Sequence, residues 1–499
     1  MFTLIISLTA LLLGYIYYSR FIERYADVDG NRMTPAYSMK DGVDYIPMSW
    51  WRIFLIQFLN IAGLGPIFGA LAGAMWGPVA YLWIVLGAIF AGATHDYFSG
   101  TLSIHHKGLS ITEIIGIYLG PAAKQIMRGF TVILMILVGA VFITGPANIL
   151  SNMSNGFGGP MFWVLIVFIY YILATLLPID KIIGKIYPIF GFTLLFMAVG
   201  LLMSMFINGY HIPELTFANM HNFHNEPEKF PVFPMLFITI ACGAISGFHS
   251  TQSPLMARCI TNEKLSRRVF YGAMITEAVV AIIWASVAMT VYGGVRELNE
   301  TMIGQNGNAA VMVSDICHKL LGGFGGILAL LGVVAAPITT GDTAFRGARL
   351  IVADFLNFKQ GPVKNRLIIS VPLFAVGFLL TQINFAVIWR YFAWANQALG
   401  MVFLWTISVY LIQKQKPAWI TVIPAMFMTA VISTYIFIAP EGLALDGRIA
   451  YPLGIVVTVA VASWFFIYKS ELAKRPVKGM RVTPVVEETG FKREKIAEE

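Results

Sequence analysis

Charge is scarce in this chain: Asp, Glu, Lys and Arg together make up 12% of its 499 residues, about half the share usual in soluble domains. With 58% of the residues hydrophobic, a water-soluble fold is excluded, because too little polar surface remains to cover it. Cysteine is nearly absent. Cys242, Cys259 and Cys317 are too few and too scattered for a disulfide framework or a metal cluster, and are read as small apolar residues in packed helices, with no metal and no resident cofactor. No GxxxxGK[ST] phosphate loop occurs, which argues against ATP-driven pumping by this chain alone, and neither HExxH nor GxSxG occurs to support an intramembrane enzyme. The first twenty residues lack a basic n-region and a small-residue cleavage site, so they read as a retained span rather than a leader.

What the chain has is long apolar runs. Stretches of about 20 residues, each able to cross a hydrocarbon core of about 30 Å, recur from end to end and define an all-α polytopic membrane protein. Apolar length and its interruptions place thirteen spans near 2–19, 51–75, 79–99, 129–150, 161–179, 187–208, 234–256, 268–293, 322–345, 367–382, 385–412, 418–438 and 450–468. The ninth is the least regular, being rich in glycine and running into polar residues. On this layout 29 of the 34 Lys and Arg fall on one side and four on the other, with Arg390 inside a span. The positive-inside rule then sets the N-terminus outside and the C-terminus in the cytoplasm, where the charged tail after Lys469 lies. The net charge of +8 is thus explained by topology, and no nucleic-acid partner is implied.

Two spans cannot stay fully helical. The second carries Gly63, Gly65, Pro66 and Gly69 in its middle, and the seventh carries Gly243, Ser246, Gly247, His249, Ser250, Thr251, Gln252, Ser253 and Pro254 at comparable depth. Proline removes a backbone donor and glycine lowers helix propensity, so the freed groups need a partner other than lipid. Paired interruptions in two halves point to a transporter's central site. The interval of five spans makes the two cross in opposite directions, so residues 51–208 and 234–412 read as two inverted five-helix repeats. Residues 1–50 and 413–468 are then additions, and 469–499 a tail. Glycine and proline serving close packing is the competing reading.

Ionisable and polar groups at membrane depth are the next candidates. Substrate is expected between the breaks, at Asn60, Gly63, Gly65, Pro66, Ser246, Gly247, His249, Ser250 and Gln252. Ala62, Thr339, Thr340 and Asp342 gather a freed carbonyl, hydroxyls and a carboxylate, a donor set suited to Na⁺ or to a carboxylate that takes H⁺. The competing reading of Asp342 is a helix N-cap paired with Arg346. Glu277 is either a coupling carboxylate or a partner of Arg267 or Arg268. His95 and Asp96 form a gate or pair with Arg268 or Arg346. Arg390 either snorkels or meets a substrate carboxylate. His211, His221, His224 and Glu226 share an external loop, but their spacing fits no tight ligand pattern.

Four blocks, NIAGLGPIFGALAGAMWGP at 60–78, WIVLGAIFAGATHDYFSGTLSI at 83–104, ACGAISGFHSTQSPLMAR at 241–258 and ITTGDTAFRGARLIVADF at 338–355, resemble the carbon starvation protein A family. The resemblance spans most of the chain. It implies a bacterial inner-membrane carrier that takes up peptides, or pyruvate in some members, driven by an ion gradient. Better-known members are longer, so this chain resembles a short form, and Pro254 departs from the family pattern within the second break. The paired breaks also resemble the amino acid, polyamine and organocation superfamily, whose cation site would map by element order onto Ala62 to Pro66 and Thr339, Thr340 and Asp342. The expectation is a secondary active importer; a nutrient sensor without net transport is the reading from another class.

Overall fold

The computed structural model describes residues 1–474 apart from 43, 155, 177–178, 306, 357 and 359–361. The expected tail from 475 onward lies outside the described residues, as do Lys359 and the side chains of Lys181 and Lys185 used in the cation count. Among the described residues every regular element is helical and no strand is present.

Nine described helices are long and apolar enough to cross a membrane: α1 (Phe2–Glu23), α4 (Val79–His105), α5 (Pro121–Met153), α7 (Pro188–Ile207), α9 (Glu263–Val291), α12 (Val363–Leu380), α13 (Phe385–Gln413), α14 (Trp419–Ile438) and α15 (Gly447–Lys474). The bent pair α2 (Trp50–Ile61) and α3 (Gly65–Trp76) brings the number to ten if it is one span. The other three expected spans take different forms. Residues 161–179 correspond to a shorter apolar helix, α6 (Gly159–Thr175). Residues 234–256 are broken, ending in α8 (Gly247–Ala257). Residues 322–345 straddle α10 (Ala309–Ala329), a π turn at Leu330–Ala335 and α11 (Ala336–Leu356).

Burial sorts the helices into a centre and a rim. The apolar windows of α13, α9 and α4 are 89%, 83% and 78% buried, whereas those of α1, α12 and α15 are 33%, 28% and 22% buried. Helices that are apolar all round yet mostly uncovered by protein have lipid as their solvent, so the chain is a multi-pass membrane protein with α4, α9 and α13 inside. Small residues bring the second broken segment close against α4 and α13. Gly92 on α4 lies so near the second broken segment that a Cβ there would sit 2.2 Å from the Ala244 carbonyl oxygen. A Cβ on Gly247 would likewise sit 2.3 Å from the Asn396 carbonyl oxygen on α13. Without competing solvent, such close backbone approach is what holds membrane helices together.

At the far end of α4, the His105 ring nitrogen Nε2 lies 3.5 Å from Glu263 Oε2. Glu263 is buried and also accepts from Arg32 Nη1 at 3.1 Å and the Asp29 amide at 2.9 Å. At the opposite edge, the Glu214 carboxylate accepts from the amino group of Met1, the Phe2 and Thr3 amides and the Thr3 hydroxyl.

Candidate functional site

The site begins where the two helices fail. Between α2 and α3 the ladder stops at Ala62 (φ −86°, ψ 38°) and the axis bends by 51°. Pro66, which has no N–H to give, sits in the first turn of α3. In the second broken segment, Ile240 (φ −94°, ψ 69°), Gly243 (φ +91°) and Ser246 (φ −141°, ψ 118°) leave helical geometry. The φ of Gly243 is in the left-handed region, where a side chain would be strained.

This second interruption is shorter than the sequence suggests. His249, Ser250, Thr251, Gln252, Ser253 and Pro254 were expected in the unwound stretch, yet all are helical within α8. The reason is local. The Asn396 amide oxygen on α13 accepts from the Phe248 N–H at 2.6 Å and the Ser246 hydroxyl at 3.1 Å, a helix cap supplied from a neighbouring helix. The hydroxyls of Ser250, Thr251 and Ser253 return bonds to the carbonyls of Gly247, Phe248 and His249, so they consume their own polarity inside the helix. Freed carbonyls upstream are met by side chains: Trp83 Nε1 donates to Ile240 O at 3.0 Å and Gln397 Nε2 to Phe237 O at 2.6 Å.

The two breaks touch. A Cβ built on Gly65 would fall 2.1 Å from Cys242 Cβ and 2.4 Å from its sulfur. Directly beneath this junction lies a fully buried polar cluster drawn from α4, α8 and α9. His95 Nδ1 is 2.7 Å from Asp96 Oδ1, His249 Nδ1 is 2.8 Å from Asp96 Oδ2, and His249 Nε2 is 3.4 Å from Glu277 Oε2. The sulfur of Cys242 lies within 4.8 Å of donor atoms of His249 and Glu277. The Gly243 N–H faces the Glu277 carboxylate without closing to a well-formed hydrogen bond, and neither Glu277 oxygen makes one elsewhere. On the next turns Ser99 donates to Ser253 at 2.8 Å, as Gln57 does at 3.4 Å. Among the described residues the amide oxygens of Asn60, Gln57 and Gln252 are buried without a partner.

Several expected pairings are replaced. Glu277 meets His249 rather than Arg267 or Arg268, since Arg267 pairs with Glu23 at 3.1 Å. Asp96 meets two histidines rather than Arg268 or Arg346. Arg390 pairs with Glu441 at 2.7 Å. Asp342 lies inside α11 rather than at its N-cap, but its expected pairing with Arg346 is present, Nη2 standing 3.4 Å away and also donating to Ala174 O. The Thr340 hydroxyl reaches Leu59 O at 3.3 Å, one turn before the first break, whereas Thr339 bonds Ala336 O. The loop histidines His221 and His224 do not converge: His224 makes tilted ring contacts with Trp76 and Phe230, and His221 stacks on Phe223. Cys242 and Asn396 are members of the site that the sequence reading passes over, although WANQ in an apolar run and ACG beside ISGFH stood out as polar or small interruptions.

A cavity of ≈ 190 Å³ opens above the breaks, lined by Phe68, Trp76, His224, Met235, Thr239 and Trp389 among others. Phe68 and Trp389 make a tilted ring contact at 5.8 Å between centres, and Gly69 lies against both Thr239 O and Trp389. Trp389 precedes Asn396 by seven residues on α13, so the cavity floor stands about 10 Å along that helix from the capped break.

The profile described as carbon starvation protein CstA matches residues 1–162 and 157–324. The chain belongs to this family. Its relatives include an uncharacterized membrane protein of Haemophilus influenzae, 42% identical over 341 residues, which is 59% of this chain and 92% of the relative. The Escherichia coli peptide transporter CstA is 24% identical over 556 residues, covering 85% of this chain and 78% of the relative. The Escherichia coli pyruvate/proton symporter BtsT is 28% identical over 339 residues, 55% of this chain and 47% of the relative. CstA-family membership therefore covers both broken segments and every residue of the buried cluster.

Proposed function

We propose that this chain is a secondary active importer of the bacterial inner membrane, carrying small nutrients, with peptides first and pyruvate or a similar small carboxylate second. The observation that supports it best is the contact between the two breaks, Gly65 against Cys242, with a cavity on one side of the junction and a buried histidine–carboxylate cluster on the other. Relatives named as peptide transporters and as a pyruvate/proton symporter support the same reading. Solute descends past Phe68 and Trp389 to the unwound backbone beside Asn60, Gly63 and Pro66, where Ser246 and Gly247 begin the opposing half-helix.

Residues 51–208 and 234–412 act as two inverted repeats that rock around this junction, with the N-terminus outside and the C-terminus in the cytoplasm. An H⁺ or Na⁺ gradient drives the cycle, coupled through Asp342, Thr339 and Thr340 beside Ala62. The Thr340 to Leu59 contact supports that pairing of elements, and protonation or cation binding at Asp342 would release Arg346. Proteoliposomes given labelled dialanine or pyruvate, with an imposed pH or Na⁺ gradient, are expected to accumulate solute only with the gradient. Absence of accumulation for both solutes under both gradients would overturn the reading.

A further inference from the structure

Resting on that reading, we infer that Cys242, His249 and Glu277 form a binding site for a divalent transition-metal ion of the zinc class, and that the ion's open coordination positions hold the chelating end of the solute. The donors are a thiolate, an imidazole and a carboxylate, a set that suits zinc and similar borderline ions. Their donor atoms lie within 4.8 Å of one another, with His249 Nε2 and Glu277 Oε2 at 3.4 Å. In a tetrahedral site with bonds of about 2.0–2.3 Å, donors stand roughly 3–4 Å apart, so the three donor atoms already lie near ligand spacing.

Two further observations point to an ion. Among the described residues the Glu277 oxygens and His249 Nε2 are fully buried and, although they face each other at 3.4 Å, make no well-formed hydrogen bond, an expensive arrangement for a carboxylate in a membrane interior that a bound cation would relieve. The other ring nitrogen, His249 Nδ1, faces Asp96 Oδ2 at 2.8 Å, and Asp96 is itself held by His95 at 2.7 Å. A carboxylate behind a histidine fixes the tautomer that presents Nε2 to a metal. Asn396 Nδ2 points its N–H at the Cys242 sulfur from 3.5 Å, which favours the thiolate. Binding expels the thiol proton and leaves a neutral M²⁺–thiolate–carboxylate unit.

Three protein ligands leave room for one or two more, as in catalytic rather than structural zinc sites. The solute chemistry matches that vacancy in number of donors. A peptide offers its terminal amine and first carbonyl oxygen, and an α-keto acid offers a carboxylate and a keto oxygen; each closes a five-membered ring on one ion. A single metal thus gives one junction a common grip on both solute classes.

The test uses the intact protein in detergent and in proteoliposomes. After chelator treatment and reloading with Zn²⁺, one ion per chain is expected to remain through desalting; with Co²⁺, a near-ultraviolet thiolate charge-transfer band is expected. Cys242→Ser should abolish the band, and Asp96→Asn should weaken Zn²⁺ affinity by about 10- to 100-fold, while both elute as the parent does on size exclusion. Asp342→Asn, outside the site, should keep the band. No retained metal, or a band and affinity unchanged in both Cys242→Ser and His249→Gln, would overturn the site and indicate an adventitious ion. Undiminished dialanine and pyruvate uptake by metal-free protein would also overturn it, leaving a proton shared between His249 and Glu277 as the occupant. Stoichiometric zinc without uptake of either solute would leave the site standing and sink the transport reading instead.

Discussion

Gly65 and Cys242 meet side to side at the point where both broken helices have lost their ladders, with 2.1 Å between the Cys242 Cβ and the position a Gly65 Cβ would take. Real carbon atoms do not approach so closely, so any side chain at 65 pushes the two breaks apart. Gly65→Ala is expected to cost about 1–3 kcal/mol through overpacking and to reduce uptake by roughly tenfold or more, since the junction is where solute is held. Thermal unfolding and proteoliposome uptake check the two parts; uptake at the parent rate would count against the junction.

Glu277 should separate stability from activity. Among the described residues its carboxylate is buried with no well-formed hydrogen bond, so replacement by a neutral amide of the same shape gives up the 3.4 Å ion pair with His249 but removes a desolvation cost that outweighs it. Glu277→Gln is expected to melt at or above the parent temperature and to transport at under about a tenth of the parent rate. A variant that melts lower yet carries solute normally would show the carboxylate to be structural.

Asp342 and Arg346 form the buried pair of α11, 3.4 Å apart. Among the described residues, removing the negative partner leaves the guanidinium with the Ala174 carbonyl as its acceptor, a loss of about 3–5 kcal/mol when such a pair is fully buried. Asp342→Asn is expected to weaken gradient-driven uptake by well over tenfold while leaving gradient-independent exchange of solute nearer to normal. Equal loss of both modes would place Asp342 outside the coupling step.

Acid should loosen the loop at 209–231 in two stages. Burial pushes the His224 imidazole down from 6.5 to about 4, with Glu226 opposing that shift and Lys229 adding to it. Its folded value lies below the unfolded one, so its contribution is complete above pH 6.5 and declines as the pH falls from 6.5 toward 4. Burial would raise Glu214, but the Met1 amino group and the Thr3 and Phe2 donors outweigh it and bring the carboxyl from 4.5 to about 2. That contribution persists above pH 4.5 and is lost between 4.5 and 2. Trp76 stacks on His224 at 4.8 Å, so its fluorescence should report the first stage, and His224→Phe should remove that stage alone. A first transition unchanged in His224→Phe would assign it elsewhere.

The first break was legible because a single residue dictates it: Pro66 has no amide hydrogen, and Gly63 and Gly65 offer no competing propensity. The second was misplaced by several residues for an equally physical reason. Ser250, Thr251, Ser253 and Pro254 look like helix breakers one at a time, yet a cap from Asn396, 148 residues away from Phe248, starts a helix through them. Cys242 was unreadable in the same sense. Its partners His249 and Glu277 are seven and thirty-five residues distant, and only the folded chain brings their donor atoms together with its sulfur.

Asp96 and His105 ride on one continuous stretch of α4, nine residues apart, which is about 13 Å along the axis and half a revolution around it. One side chain holds the buried histidine His249, and the other leans on the Glu263 group that ties down Asp29 and Arg32. The rod between them has no hinge, so an axial slip that frees one end must free the other. Whatever loosens the deep cluster is therefore announced at the protein's rim, and a crosslink or label placed between His105 and Glu263 becomes a remote reporter of events at the junction.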